Sequence, residues 1–131
     1  MADPGRFSRS DRLRHSRDFQ RVSREGERFA SRYFVVLVAG RDGAEVPSAE
    51  LRLGVTVSRK VGNAVVRNRV KRAIREWFRT SRELWAGSGQ ATTGRDVVVI
   101  ARREARDLRG AEFATALTRT LAQPKRRREG R

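Results

Sequence analysis

"KVGNAVVRNRVKRAIREWF", residues Lys60 to Phe78, sets valines, an isoleucine and two aromatics among arginines and lysines. A helix turns about 100° per residue. On that spacing Val66, Val70, Ala73, Ile74 and Trp77 share one face, with Phe78 at its edge. Asn68, Lys71, Arg72 and Arg75 fall opposite, and Arg67 and Arg69 flank the apolar stripe on its two sides. The pattern predicts an amphipathic helix that packs its stripe on a sheet and stands its cations in water or on a partner. Asn63 is suited to cap it, because its side chain can accept from an early helical N–H. Gly62 permits the tight turn before the cap.

Surface helices ordinarily mix charge signs. Here the segment from Arg59 to Arg79 carries eight basic residues and one acid, Glu76. Few intrahelical ion pairs can relieve that repulsion, so the cluster reads as a phosphate-binding face. The whole chain leans the same way. Its 131 residues hold 31 Lys+Arg against 15 Asp+Glu, a formal net charge of +16. Self-repulsion on that scale points to a polyanionic partner, nucleic acid before anionic membrane. Only Lys60, Lys71 and Lys125 are lysine. The arginine fork holds phosphate bidentately and stacks on bases, which favours RNA or DNA.

Working outward from the helix, "LRLGVTVSRK" alternates cleanly. Leu51, Leu53, Val55 and Val57 share one strand face; Arg52, Gly54, Thr56 and Ser58 share the other. That second face is small and polar, a floor suited to a ligand groove, although a half-exposed strand explains the alternation equally well. "RYFVVLVAG" gives a strand from Tyr33 to Ala39 that is apolar on both faces, and Phe29 belongs to a short strand before it. "RDGAEVPSAE" is a turn-rich loop and "SGQATTG" a flexible one. "DVVVIA" (96–101) is a further strand. "AEFATALTRTLAQ" (111–123) sets Phe113, Ala116, Leu117, Thr120 and Leu121 on one helical stripe that Pro124 ends. Near the start, "SDRLRHSRDFQRVSREG" predicts a helix over roughly 11–24, with Ser10 as N-cap and Gly26 past its end. Its sparse apolar positions, Leu13, Phe19 and Val22, suit a lid on one side of the core. The chain thus divides into a flexible basic arm (1–10), one α/β domain (11–123) and a disordered basic tail (124–131).

The sequence excludes several classes. It holds no cysteine, so disulfides and thiolate metal sites are out, in keeping with a reducing cytoplasm. No apolar run approaches the ~18 residues of a membrane span, and "MADPGRFSRSDR" lacks the apolar middle of a signal peptide. His15 is the single histidine and has no Ser–His–Asp set to serve. The acids are scattered, where a two-metal nuclease needs several converging. Asp96 alone adjoins a core strand, with no obvious partner in the sequence. "GSGQATTG" lacks the lysine of a P-loop. Any catalysis must draw its chemistry from another molecule.

The stretch "KVGNAVVRNRVKRAIRE" resembles the signature of the bacterial ribonuclease P protein subunit, centred on Arg67-Asn68-Arg69 and followed by Lys71, Arg72 and Arg75. "LGVTVSRKVGNA", "RLRHSRDFQRV" and the placement of "DVVVIARREA" are also similar to that family, so that the likeness spans roughly residues 10–122. The resemblance implies an α/β (α+β, two-layer) fold: an N-terminal helix, a mixed sheet of about four strands, the basic helix as a left-handed crossover, and a C-terminal helix. General sterics favour a right-handed crossover in ~98% of cases, so the hand comes from the resemblance alone. It also implies function. The partners are a catalytic RNA that uses Mg²⁺, bound mainly by that RNA, and precursor tRNA, whose 5′ leader is removed by hydrolysis. No membrane and no protein partner is required. On the resemblance, Arg67, Asn68, Arg69, Lys71, Arg72 and Arg75 face the catalytic RNA, and Phe19, Arg32, Thr56, Ser58 and Lys60 contact the leader. This chain departs from the family in placing Ser23 and Leu37 where further aromatics are common, which shifts the expected leader contacts toward arginine and phosphate. A ribosomal or other structural RNA-binding protein is the alternative that charge and composition leave open.

Overall fold

The computed structural model describes residues 16–40, 51–81 and 95–122. The basic arm, the Ser10 cap, Leu13, His15, the two long loops and the basic tail lie outside the described residues. In chain order the elements are α1 (Ser16–Glu25), β1 (Glu27–Ala30), β2 (Phe34–Gly40), β3 (Leu51–Val57), α2 (Ala64–Thr80), β4 (Arg95–Ala101), a short 3-10 helix (Arg103–Asp107) and α3 (Glu112–Leu121). The strands form one mixed sheet in the order β1-β2-β4-β3. β1–β2 and β2–β4 are antiparallel, and β3–β4 is parallel. A parallel neighbour demands a long crossover, and α2 lies within it.

Strand alternation sorts the apolar residues onto two faces. On one, Phe34 and Val36 of β2, Val97 and Val99 of β4, and Leu53 and Val57 of β3 form the main core. The stripe of α2 packs there through Val70, Ile74, Trp77 and Phe78, beside Phe113, Ala116 and Leu117 of α3. Phe78 belongs to the centre of that contact, fully buried, where the helical wheel sets it at the edge. Each such side chain removed from water contributes about 1.5–3 kcal/mol. Trp77 is buried to 2% exposure, and its indole N–H needs an acceptor. It donates to Thr118 Oγ1 at 3.3 Å, tying α2 to α3. On the opposite face a smaller cluster joins Val22 of α1 to Val35, Leu37, Ala39 and Val98, with Phe19 packed against it. So α1 covers part of one side of the sheet, while α2 and α3 cover the other.

The turns are set by close backbone approach. The Gly26 N–H donates to the Val22 carbonyl at 2.8 Å and closes α1. A Cβ there would stand 2.5 Å from that carbonyl oxygen, so only glycine fits. At Gly62 a Cβ would meet Val66 Cβ and Cγ1 at 2.9 Å. Tyr33 stands in the β1–β2 turn rather than in β2. Ser31 Oγ organises that turn: it lies 3.3 Å from the N–H groups of Tyr33 and Phe34, which donate to it, and 2.7 Å from Thr120 Oγ1. The turn is thereby pinned to α3.

Candidate RNA interfaces

α2 starts where its sequence dictates. Asn63 has extended backbone, and its Oδ1 accepts from the Val66 N–H at 3.0 Å. The first turn carries no acid. With the apolar stripe on the sheet, Asn68 and Arg72 are exposed, and Arg67, Arg69, Lys71 and Arg75 are half-buried along the flanks. Glu76, the one acid of the helix, is engaged by Arg79, whose Nε donates to Oε2 at 3.1 Å. That hydrogen bond holds the Glu76 carboxyl below its ordinary value, so the carboxylate stays charged and turned to Arg79. Between α2 and the start of α3 a recess of about 610 Å³ is lined by Arg69, Arg72 and Arg75, with Phe113 behind them.

Arg69 has a second attachment. Its Nη2 donates to the Arg106 carbonyl at 2.7 Å, so it holds the 3-10 helix against α2 as well as facing outward. Arg109 Nη1 donates to the same carbonyl at 2.8 Å. The Nε atoms of Arg67 and Arg69 are buried with no hydrogen-bond partner among the described residues. A buried donor without an acceptor costs about 1–3 kcal/mol. Here the cost accompanies side-chain stems laid along the helix with their charged ends near the surface.

The small face of β3, where a groove is expected, is turned to the α1 side of the sheet. Gly54 pairs with Val98 and Thr56 with Ile100. These four make a floor on the same face as Phe19, which borders it from α1. Gly54 is buried and Thr56 exposed, so the floor drops at the glycine. Ser58 and Lys60 continue past the end of β3, both exposed. Phe19 and Thr56 thus share one side of the sheet, and Ser58 and Lys60 follow beyond the end of β3. Arg32 does not stand on this floor. It sits in the β1–β2 turn at the same end of the sheet, with its guanidinium carbon 5.7 Å from the centroid of the Tyr33 ring.

The far end of this sheet face holds a cluster that the sequence does not disclose. Asp96 is fully buried on the groove face. Arg52, its β3 partner in register, donates from Nε to Oδ1 at 2.8 Å and from Nη2 to Oδ2 at 2.9 Å. Arg21 of α1 also donates to Oδ2, and its Nη1 donates to the Gly40 carbonyl at 2.9 Å. One carboxylate thus fastens α1 to both β3 and β4. Asp96, without an obvious partner in the sequence, is held in the fold by Arg21 and Arg52. Its arginines lie 44 and 75 residues away in the chain, and no local spacing announces them. Bidentate arginine–carboxylate pairing is the strong form of this contact.

The comparisons with known proteins agree with this geometry. The family model described as Ribonuclease P matches residues 7–125. The ribonuclease P protein component of Shouchella clausii is 39% identical over 119 residues, covering 91% of this chain and 89% of that protein. That of Staphylococcus epidermidis is 39% identical over 111 residues, covering 84% and 86%. Among solved structures, the Staphylococcus aureus RNase P protein superposes with a TM-score of 0.70 at 36% identity, covering 86% of this chain and 93% of that one. The Thermotoga maritima RNase P protein gives 0.57 at 34%, covering 85% and 91%. The α+β fold, with its four-stranded mixed sheet, is the one those proteins share. With a family match across nearly its whole length and relatives well above the threshold of chance, the chain belongs to the ribonuclease P protein family.

Proposed function

We propose that the protein bridges two RNAs: the catalytic RNA of ribonuclease P on the cationic face of α2, and the single-stranded 5′ leader of precursor tRNA in the groove over β3. The observation that carries this reading is the separation of the two surfaces. The apolar stripe of α2 packs on one side of the sheet, and the groove with Phe19 and Thr56 lies on the other. Both can be occupied at once, as an accessory subunit requires.

The chemistry is hydrolysis of one phosphodiester bond, and in this reading the RNA performs it. Mg²⁺, when bound, would stabilise the developing phosphate charge and activate water. The described residues offer no set that suits a Mg²⁺ site of their own. Its buried carboxylate, Asp96, is taken up by two arginines, and no three His, Cys, Asp or Glu side chains converge among the described residues. The protein's part is to hold RNA: Arg67, Asn68, Arg69, Lys71, Arg72 and Arg75 position the catalytic RNA through phosphate, and the groove positions the leader at the bond to be cut.

A three-arm cleavage assay at low Mg²⁺ tests the proposal, with precursor tRNA given the protein alone, the catalytic RNA alone, or both. The pair should cleave far faster than the RNA alone, and the protein alone should not cleave at any Mg²⁺ concentration. Binding of both RNAs with no stimulation of cleavage would favour a structural RNA-binding role instead.

The groove assignment has its own test. Thr56→Trp keeps a strand-compatible residue but fills the space above Gly54. Precursor tRNA with a leader of several nucleotides should bind about tenfold more weakly, the value of roughly one stacked base. Mature tRNA and the catalytic RNA should bind nearly as before. Equal losses for precursor and mature tRNA would mean that the leader does not cross β3.

A further inference from the structure

A second recess, of about 460 Å³, opens between the β1–β2 turn and α3, sharing no lining residue with the recess beside α2. Its volume falls in the range of pockets that hold small organic ligands, about 300–1,000 Å³. Leu108 and Ala116, both buried, line it with apolar surface. Tyr33, half-buried, supplies a flat aromatic wall, and it is the only tyrosine of the chain. Arg32 and Arg119 also line the recess, and both are exposed. Arg32 stands close enough to the Tyr33 ring for a cation–π contact, so ring and cation are presented together. Glu112 lies opposite. Its Oε1 accepts from the Arg109 N–H at 2.7 Å, and a carboxylate has about four acceptor positions in all.

We propose that this recess seats one unstacked nucleotide of a bound RNA, its base against Tyr33, its phosphate at Arg32 and Arg119, and an exocyclic amino group donating to Glu112. The inference rests on the reading of the chain as an RNA-binding subunit and adds a third contact to it. An aromatic face beside arginines is the chemistry that holds single-stranded nucleic acid. The floor of Gly54, Thr56, Val98 and Ile100 carries no aromatic of its own and is bordered by Phe19, whereas the chain's tyrosine stands here. Glu112 makes the site selective. Adenine, guanine and cytosine carry an exocyclic amine that can donate to a carboxylate. Uracil presents a carbonyl in that place, which a carboxylate repels. The turn is also held in advance, since Ser31 is linked to Thr120 of α3, so the walls need not rearrange to admit a base.

The test uses the full chain and nuclear magnetic resonance, with AMP, UMP and inorganic phosphate titrated separately. AMP should shift the resonances of Tyr33, Glu112, Thr115 and Arg119, and UMP should bind at least about fivefold more weakly. Tyr33→Leu, which keeps apolar packing, should weaken AMP binding about tenfold. Arg119→Gln, an exposed change that cannot disturb the core, should weaken AMP and phosphate alike. Glu112→Gln should narrow the difference between AMP and UMP. If inorganic phosphate alone reproduces the AMP shifts at equal affinity, or Tyr33→Leu binds AMP as the parent does, the proposal falls. Failure here with intact binding of catalytic RNA would leave the subunit assignment standing. In the holoenzyme, Tyr33→Leu should raise KM if the nucleotide belongs to precursor tRNA, or weaken assembly if it belongs to the catalytic RNA. A variant that changes neither would overturn the proposal as well.

Discussion

Asp96→Ala should lower the stability of the fold by about 3 kcal/mol, at the low end of the range for removing one partner of a buried ion pair. The carboxylate is fully buried, and Arg21 and Arg52 are each about a quarter exposed. With Asp96 gone, two guanidiniums face one another without the carboxylate between them. Their partial exposure lets them turn toward water, which keeps the loss from being larger. A domain of this size has roughly 5–15 kcal/mol to lose, and the melting temperature should fall on the order of 10 °C. Asp96→Asn, which keeps the shape and drops the charge, should fall between parent and alanine. Because the cluster fastens α1 to β3 and β4, leader binding should weaken at temperatures where the sheet itself is intact. Thermal melts with parallel leader-binding measurements check both statements. A loss under 1 kcal/mol would mean that apolar packing at Val22 holds α1 without help.

Arg67→Ala together with Arg72→Ala should weaken binding to the catalytic RNA by about 100-fold at low salt, if each arginine makes one charge-assisted contact worth about 1.5 kcal/mol. The salt dependence should change with it. Each neutralised phosphate contributes roughly 0.7–0.9 to the slope of log K against log[salt], so the slope should flatten by about 1.5. Both residues sit off the buried stripe, Arg72 exposed and Arg67 half-buried, so far-ultraviolet circular dichroism should be unchanged. Arg69 is a poor choice for this experiment, because its bond to the Arg106 carbonyl confounds RNA contact with the docking of the 3-10 helix. An unchanged slope with an intact fold would remove this face from the RNA interface.

Legibility in the sequence is a matter of range. α2 declares itself because its stripe, its Asn63 cap and its cations all repeat within one helical period. β3 does so because its alternation is local, and the face it leaves small is the face turned to the α1 side. β2 and β4 are also legible as apolar runs, correct to a residue at either end. The features that escape are long-range or weakly patterned. The strand order places β4 between β2 and β3, which no single segment specifies. The 3-10 helix carries one buried apolar residue, Ala105, too few to make a period. The Arg21–Asp96–Arg52 cluster and the Ser31–Thr120 link each join residues far apart in the chain. Arg32 belongs with the groove by resemblance, but the turn geometry directs it toward Tyr33. Arg32 also lines the recess beside α3.

The strand order also bears on how the protein is made. β4, residues 95–101, lies between two strands that the ribosome releases much earlier. Until it emerges, the β1–β2 hairpin and β3 have no lateral neighbour to join them, and Arg21 and Arg52 lack the Asp96 carboxylate. α2 emerges before β4 as well, and a lone helix of its length is marginal in water. A nascent chain that stops short of Arg95 is therefore a polycation without a cleft. It carries most of the positive charge of the chain but not the closed sheet on which the proposed leader path depends. The ordered surface arrives with the last third of the polypeptide, when one aspartate and three valines close the middle of the sheet.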